Sequence, residues 1–90
     1  MKKDTQSILD IFKALSCKPR FDIVVGLIRK HECNVGTMAE KLNIPQPNVS
    51  QHLAILKRAG IIEGYRKGTQ ICYKVVDEMT ENIIKALDLE

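Results

Sequence analysis

Apolar residues recur at helical spacing near the start of the chain. Between Thr5 and Ser16 they fall at Ile8, Leu9, Ile11, Phe12 and Leu15, the rhythm of a one-sided helix. Asp4 or Thr5 can cap its start, and Lys18-Pro19 ends it. The same rhythm predicts a second helix from about Pro19 to Lys30 or His31, with Phe21, Val24, Val25, Leu27 and Ile28 as its apolar set. Asn34-Val35-Gly36-Thr37 breaks the pattern. A short helix is then predicted over Thr37–Leu42, with Thr37 as N-cap and Glu40 three residues on as the partner in a capping box. Asn43-Ile44-Pro45-Gln46-Pro47 makes a tight connection, because Pro47 disfavours helix at Gln46 yet suits the first turn of a new helix. That fourth helix is predicted from Pro47 to Ala59, closed by Gly60 in a left-handed cap.

The spacing changes after Gly60. Residues 61–66 and 70–76 are rich in β-branched and aromatic side chains, and Lys67-Gly68-Thr69 separates them, which predicts a β-hairpin over about 61–76. Asp77 can cap a last helix from Glu78 to about Leu89, with Met79, Ile83, Ile84 and Leu87 on one side. The expected architecture is mainly α with one small β-hairpin. With no repeat, linker or low-complexity stretch, residues 1–90 read as a single domain.

Composition narrows the class. At 90 residues with 44% hydrophobic and 28% charged side chains, the chain is ordinary globular material rather than a disordered or fibrous sequence. Its unbroken apolar runs, such as Ile23-Val24-Val25, are far short of the roughly 18 residues that a membrane helix needs. The N-terminus shows no apolar stretch of the secretory kind. Three cysteines, Cys17, Cys33 and Cys72, with no Cys-x-x-Cys, do not make a disulfide scaffold, so a reducing, cytoplasmic location is expected.

Charge is unevenly placed. Residues 41–74 carry six Lys/Arg against Glu63 alone, whereas residues 75–90 carry Lys85 against five carboxylates. A polyanion would therefore dock on the middle third of the chain.

That third also holds two helices joined by a short turn, a helix-turn-helix pattern over about 37–59. At about 100° per residue, Val49, Leu53 and Leu56 share one narrow apolar stripe. Gln51 and Arg58 fall opposite it, with Pro47 and Ala54 nearby, Asn48 and Ser50 at the flanks, and Gln46 at the leading end. No carboxylate occurs from residue 46 to 59. Amides and a guanidinium on an acid-free face suit the major groove, where Asn and Gln pair bidentately with adenine. The hairpin tip, Arg66-Lys67-Gly68, would place two cations on the phosphates beside that groove.

The stretch from Gly36 to Ile44, then Gln46-Pro47-Asn48-Val49-Ser50-Gln51-His52-Leu53 through Ile62, resembles the ArsR/SmtB family of winged helix-turn-helix repressors. Leu15 to Ile23 is similar to that family's entry into its second helix, so the resemblance covers roughly residues 8–76. It implies an α-α-(β)-α-α-β-β-α fold and a homodimer joined through the first and last helices, here about 5–16 and 78–89. It further implies binding of a near-palindromic operator in double-stranded DNA, released by an inducer, with the residues at Gln46, Ser50 and Gln51 on DNA. The apolar faces of the first and last helices point to the same dimer independently, since so short a chain has little core to cover both. A two-fold pair would set two reading helices about one DNA turn apart.

The metal patterns of that family are not present. Its Cys-x-Cys positions are Asn34 and Gly36 here, with Cys33 one place earlier, and residues 75–90 contain no His. Cys33 and Cys72 stand open to two readings. They are small buried hydrophobes, or they meet where the chain before the helix-turn-helix pairs with the returning wing strand. In the second reading they act as a thiol-redox or reactive-sulfur sensor, or with His31 as a soft-metal site. Cys17, near Lys18 and Arg20, is a weaker sensor candidate. His52, at the border of the apolar stripe, is expected to make a hydrogen bond at the helix edge. No catalytic triad, Gly-rich phosphate loop or paired-acid motif supports an enzyme, and nothing calls for a cofactor. The alternative reading is a winged-helix module that binds protein without reading DNA sequence.

Overall fold

The computed structural model describes residues 3–89. Helix α1 spans Thr5–Leu15, α2 Lys18–Arg29, α3 Val35–Leu42 and α4 Gln46–Arg58; strands β1, Ile62–Lys67, and β2, Gln70–Val75, come next, and α5 spans Glu78–Ala86. Asp4 caps α1, its carboxylate accepting the Ser7 N–H at 2.7 Å. Pro19 sits in the first turn of α2, where a missing N–H is harmless. Asp77 caps α5 by accepting both the N–H and the hydroxyl of Thr80, at 2.8 and 2.6 Å.

The third helix begins earlier than its sequence pattern indicated. Asn34, not Thr37, is its N-cap, with the Asn34 Oδ1 accepting from the Thr37 N–H at 2.8 Å. The cause is tertiary. Asn34 is held extended (φ −106°, ψ 157°) because it pairs with Cys72 in a β-bridge, and an extended residue with a short carbonyl side chain is what a helix start requires. Glu40 therefore has no capping-box role. The last helix is shorter than expected, ending at Ala86 rather than Leu89. Beyond it the Asp88 carboxylate would face the negative end of the helix dipole. The Arg29 guanidinium holds the chain there instead, donating to the carbonyls of Ile84 and Leu87.

The core is built from one face of every helix: Ile11 and Ala14 of α1, Ile23, Val24 and Leu27 of α2, Met38 of α3, Val49, Leu53 and Leu56 of α4, and Ile84 of α5. Ile61 and Ile62 close it from the base of the wing. The turn between α3 and α4 is made by Asn43, whose φ of 56° only Gly, Asn or Asp adopts at low cost. Gly60, at φ 80°, takes the left-handed position that ends α4. The strands are antiparallel, with Ile62 opposite Val75, Tyr65 opposite Cys72 and Lys67 opposite Gln70. Their two-residue turn opens with Gly68 at φ 64°, the positive angle that a tight hairpin demands.

Candidate nucleic-acid interface

The fourth helix turns its stripe inward as its spacing predicts. Val49, Leu53 and Leu56 are at most 2% exposed, and Ile55 is half-buried. Gln46, Pro47, Asn48, Ser50, Gln51, Ala54 and Arg58 are all exposed. One side of α4 is thus a solvent-facing surface of two glutamines, an asparagine, a serine and an arginine, with small residues between them. Gln46 lies at the leading end, its Nε2 3.8 Å from where a side chain on Gly36 would begin.

Arg20 links this helix to its neighbours. Its Nε donates to the Ala14 carbonyl at 2.7 Å, and its Nη1 lies 3.5 Å from His52 Nδ1. One half-buried guanidinium therefore spans the end of α1, the start of α2 and the edge of α4. His52 makes the helix-edge contact expected of it. Arg20 is a positioning residue the sequence did not reveal, since an Arg in a helix's first turn reads as an ordinary surface charge.

The wing carries its cations outward. Arg66 and Lys67 are exposed on β1 next to the turn. Lys74, on β2, sits with its ammonium 5.8 Å from the centre of the Tyr65 ring, a cation–π contact that steadies the strand pair.

The three cysteines are free thiols. Cys33 and Cys72 come together at the foot of the wing: Asn34 bridges to Cys72, and the Tyr73 N–H donates to the Cys33 carbonyl at 2.9 Å. The hydrogen bond with Cys33, then burial, pushes the Cys72 thiol up from its ordinary pKa, against the opposing pull of Lys67 and Tyr65. Burial, then the neighbouring Cys33 and Cys72, raises the Tyr65 phenol likewise. Cys17 instead takes the N-cap position of α2 and makes no side-chain capping bond. Among the described residues, no cluster of three or more His, Cys, Asp or Glu is placed to hold a metal ion, and no helix is long and apolar enough to cross a membrane.

An exposed, carboxylate-free face on α4 is followed along the chain by a hairpin with a basic tip. The family model of the arsR family of bacterial regulatory proteins matches residues 17–64, from the start of α2 into β1. The HTH-type transcriptional repressor SmtB of Mycobacterium tuberculosis is 37% identical over 75 residues, covering 83% of this chain and 55% of that protein. The chain thus spans about half the length of that relative. The uncharacterized HTH-type transcriptional regulator MJ1325 of Methanocaldococcus jannaschii is 38% identical over 79 residues, covering 88% of this chain and 89% of that protein. The crystal structure of the transcriptional repressor PagR of Bacillus anthracis superposes with a TM-score of 0.80 at 31% identity, over 92% of this chain and 94% of that one. With the exposed polar face of α4 inside the matched segment and its winged helix-turn-helix architecture shared along nearly the whole chain, this protein belongs to the arsR family of bacterial regulatory proteins.

Proposed function

We propose that the chain is a DNA-binding transcriptional repressor that places α4 in the major groove and the wing tip on the adjoining phosphates. The observation that carries this reading is the exposed, carboxylate-free face of α4. Gln51, Asn48, Gln46 and Ser50 offer hydrogen bonds to base edges, while Pro47 and Ala54 leave room for the groove floor. Arg58, Arg66 and Lys67 supply sequence-independent attraction to phosphate.

The working unit is a homodimer through α1 and α5. Leu9 and Phe12, one turn apart on α1, are 53% and 49% exposed and together leave an apolar patch open to water. Next to the start of α1, Ile8, Met79, Ile83 and Ala86 line a groove of about 700 Å³ against α5. A two-fold partner covers both surfaces and pairs the two α4 helices for a near-palindromic site. An inducer that alters this arrangement relieves repression.

Titrating fluorescent duplex DNA with the protein at rising salt tests the reading. Binding through several phosphate contacts loses affinity linearly on a log–log plot, with a slope of about −0.9 per phosphate neutralised. A flat salt response, or equal binding to every sequence offered, would favour the protein-interaction module instead.

A further inference from the structure

Strand β2 pairs on both of its sides at one residue. Cys72 faces Tyr65 of β1 in the hairpin register and Asn34, the N-cap of α3, across the isolated bridge. One residue further, the Tyr73 N–H binds the Cys33 carbonyl. The wing is thus fastened to the helix-turn-helix at a corner that holds two thiols and a phenol.

The two thiols differ in access. Cys72 has no exposed surface. Cys33 is half-buried and lines a cavity of about 500 Å³, within the range of small-molecule sites. Leu27, Ile28 and Val75 give this cavity apolar walls, and Lys67 and Lys74 give it a cationic edge. A third ammonium there, Lys85, is already paired with Glu81 at 2.8 Å. Cys33 lines this cavity, whereas Cys72, with no exposed surface, is not among its lining residues. A thiol with an entry path and a second thiol placed to resolve its oxidised form make up a reactive pair rather than two packing residues.

We propose that Cys33 and Cys72 form a hydroperoxide-reactive pair whose oxidation ties the foot of the wing to the entry of the helix-turn-helix. The Cys33 sulfur, giving up its proton, attacks the terminal oxygen of an organic hydroperoxide. The O–O bond breaks, the alcohol departs carrying that proton, and Cys33 becomes a sulfenic acid. The Cys72 sulfur then attacks Cys33, a sulfur–sulfur bond forms, and the sulfenic oxygen leaves as water with the Cys72 proton. Two thiols lose two electrons and two protons; one hydroperoxide becomes one alcohol and one water. A disulfide requires its β-carbons about 3.8 Å apart, in a narrow range of torsion. Drawing Cys33 and Cys72 into that geometry pulls on Asn34, the next residue along and the cap of α3. The consequence for DNA rests on the function proposed above: the oxidised protein presents α3, α4 and the wing in a different mutual setting and releases its operator.

Treating the reduced whole chain with one equivalent of cumene hydroperoxide, then alkylating and digesting with trypsin, tests the chemistry without DNA. The expected product joins the peptides His31–Lys41 and Gly68–Lys74, two hydrogens lighter than their sum, with Cys17 alkylated in Ala14–Arg20. In Cys72→Ala the sulfenic acid has no resolving partner, and dimedone labels Cys33. In Cys33→Ala, Cys72 stays reduced. Unreacted thiols, a higher oxide on Cys33 with no cross-link in the unaltered chain, or a cross-link through Cys17 would each overturn the proposal. Oxidation is expected to weaken duplex binding at least tenfold in the unaltered chain and to leave Cys33→Ala unchanged. Equal affinity of the cross-linked and reduced forms overturns the regulatory consequence. A reduced protein that binds no duplex at all refutes the DNA-binding reading and leaves the cross-link standing.

Discussion

Replacing Gln51 and Lys67 by alanine, one at a time, separates base reading from phosphate anchoring. Gln51 is exposed on α4, and among the described residues its side chain has no hydrogen-bonding partner in its own chain. Removing the amide therefore costs the fold nothing, and alanine is the stronger helix former by a few tenths of a kcal/mol. What is lost is a bidentate amide–adenine pair, about 1–3 kcal/mol per half-site. At about 1.4 kcal/mol per factor of ten, this is ~5- to 150-fold in affinity for each half of the operator. Binding to scrambled duplex, which rests on phosphate attraction, stays nearly as it was. Lys67→Ala acts the other way. It lowers affinity for operator and scrambled duplex by the same factor and shallows the salt slope by about 0.9 for each phosphate contact removed. The assay is fluorescence anisotropy against an operator selected from random duplexes and a scrambled control, at several salt concentrations. The reasoning fails if both substitutions weaken both duplexes alike, or if Gln51→Ala lowers the melting temperature, which would mean the side chain supports its own chain.

Asp77 makes α5 sensitive to acid. Burial pushes its carboxyl pKa up, but the Thr80 hydroxyl, the Lys3 ammonium at 2.9 Å and the Thr80 amide together hold it below its ordinary value. Its folded pKa is thus lower than its unfolded one, so the stabilisation is complete above the usual aspartate range, near pH 4, and disappears as pH falls through the folded value. Asp77→Asn is expected to remove that part of the acid dependence, read from urea midpoints between about pH 7 and 3; an unchanged profile would contradict it. Leu53→Ala opens a cavity in the middle of the core and is expected to cost about 2–5 kcal/mol in urea unfolding; a smaller loss than a surface substitution gives would mean the stripe is not packed as described. Phe12→Glu places a charge on the proposed dimer face and is expected to shift the protein to monomer in sedimentation and abolish tight operator binding; an unchanged dimer would place the interface elsewhere. Asn34→Ala removes the cap of α3 and is expected to cost about 1 kcal/mol, whereas Thr37→Ala should leave that cap intact.

Much of this protein was legible in the order of its residues, wherever a local rule decided the outcome. A three-residue stripe in α4 states which face is inward, because helical periodicity leaves Val49, Leu53 and Leu56 nowhere else to go. Proline at 19 and 47, Asp77 before a helix and Gly60 after one mark boundaries through the hydrogen bonds they can or cannot make. Tertiary structure decided the rest. Asn34 became a cap, and Thr37 did not, because pairing with a strand nearly forty residues away holds Asn34 extended. Arg20 came to touch α1 and α4 because three helix segments converge on it. The end of α5 was settled by Arg29, which takes the last carbonyls from across the core. The same bridge at Asn34 puts Cys33 beside Cys72, one of the two readings the sequence left open and one that only the pairing of the strands could decide. Periodicity is a property of neighbours in sequence; pairing between distant segments exists only once the hairpin has folded back.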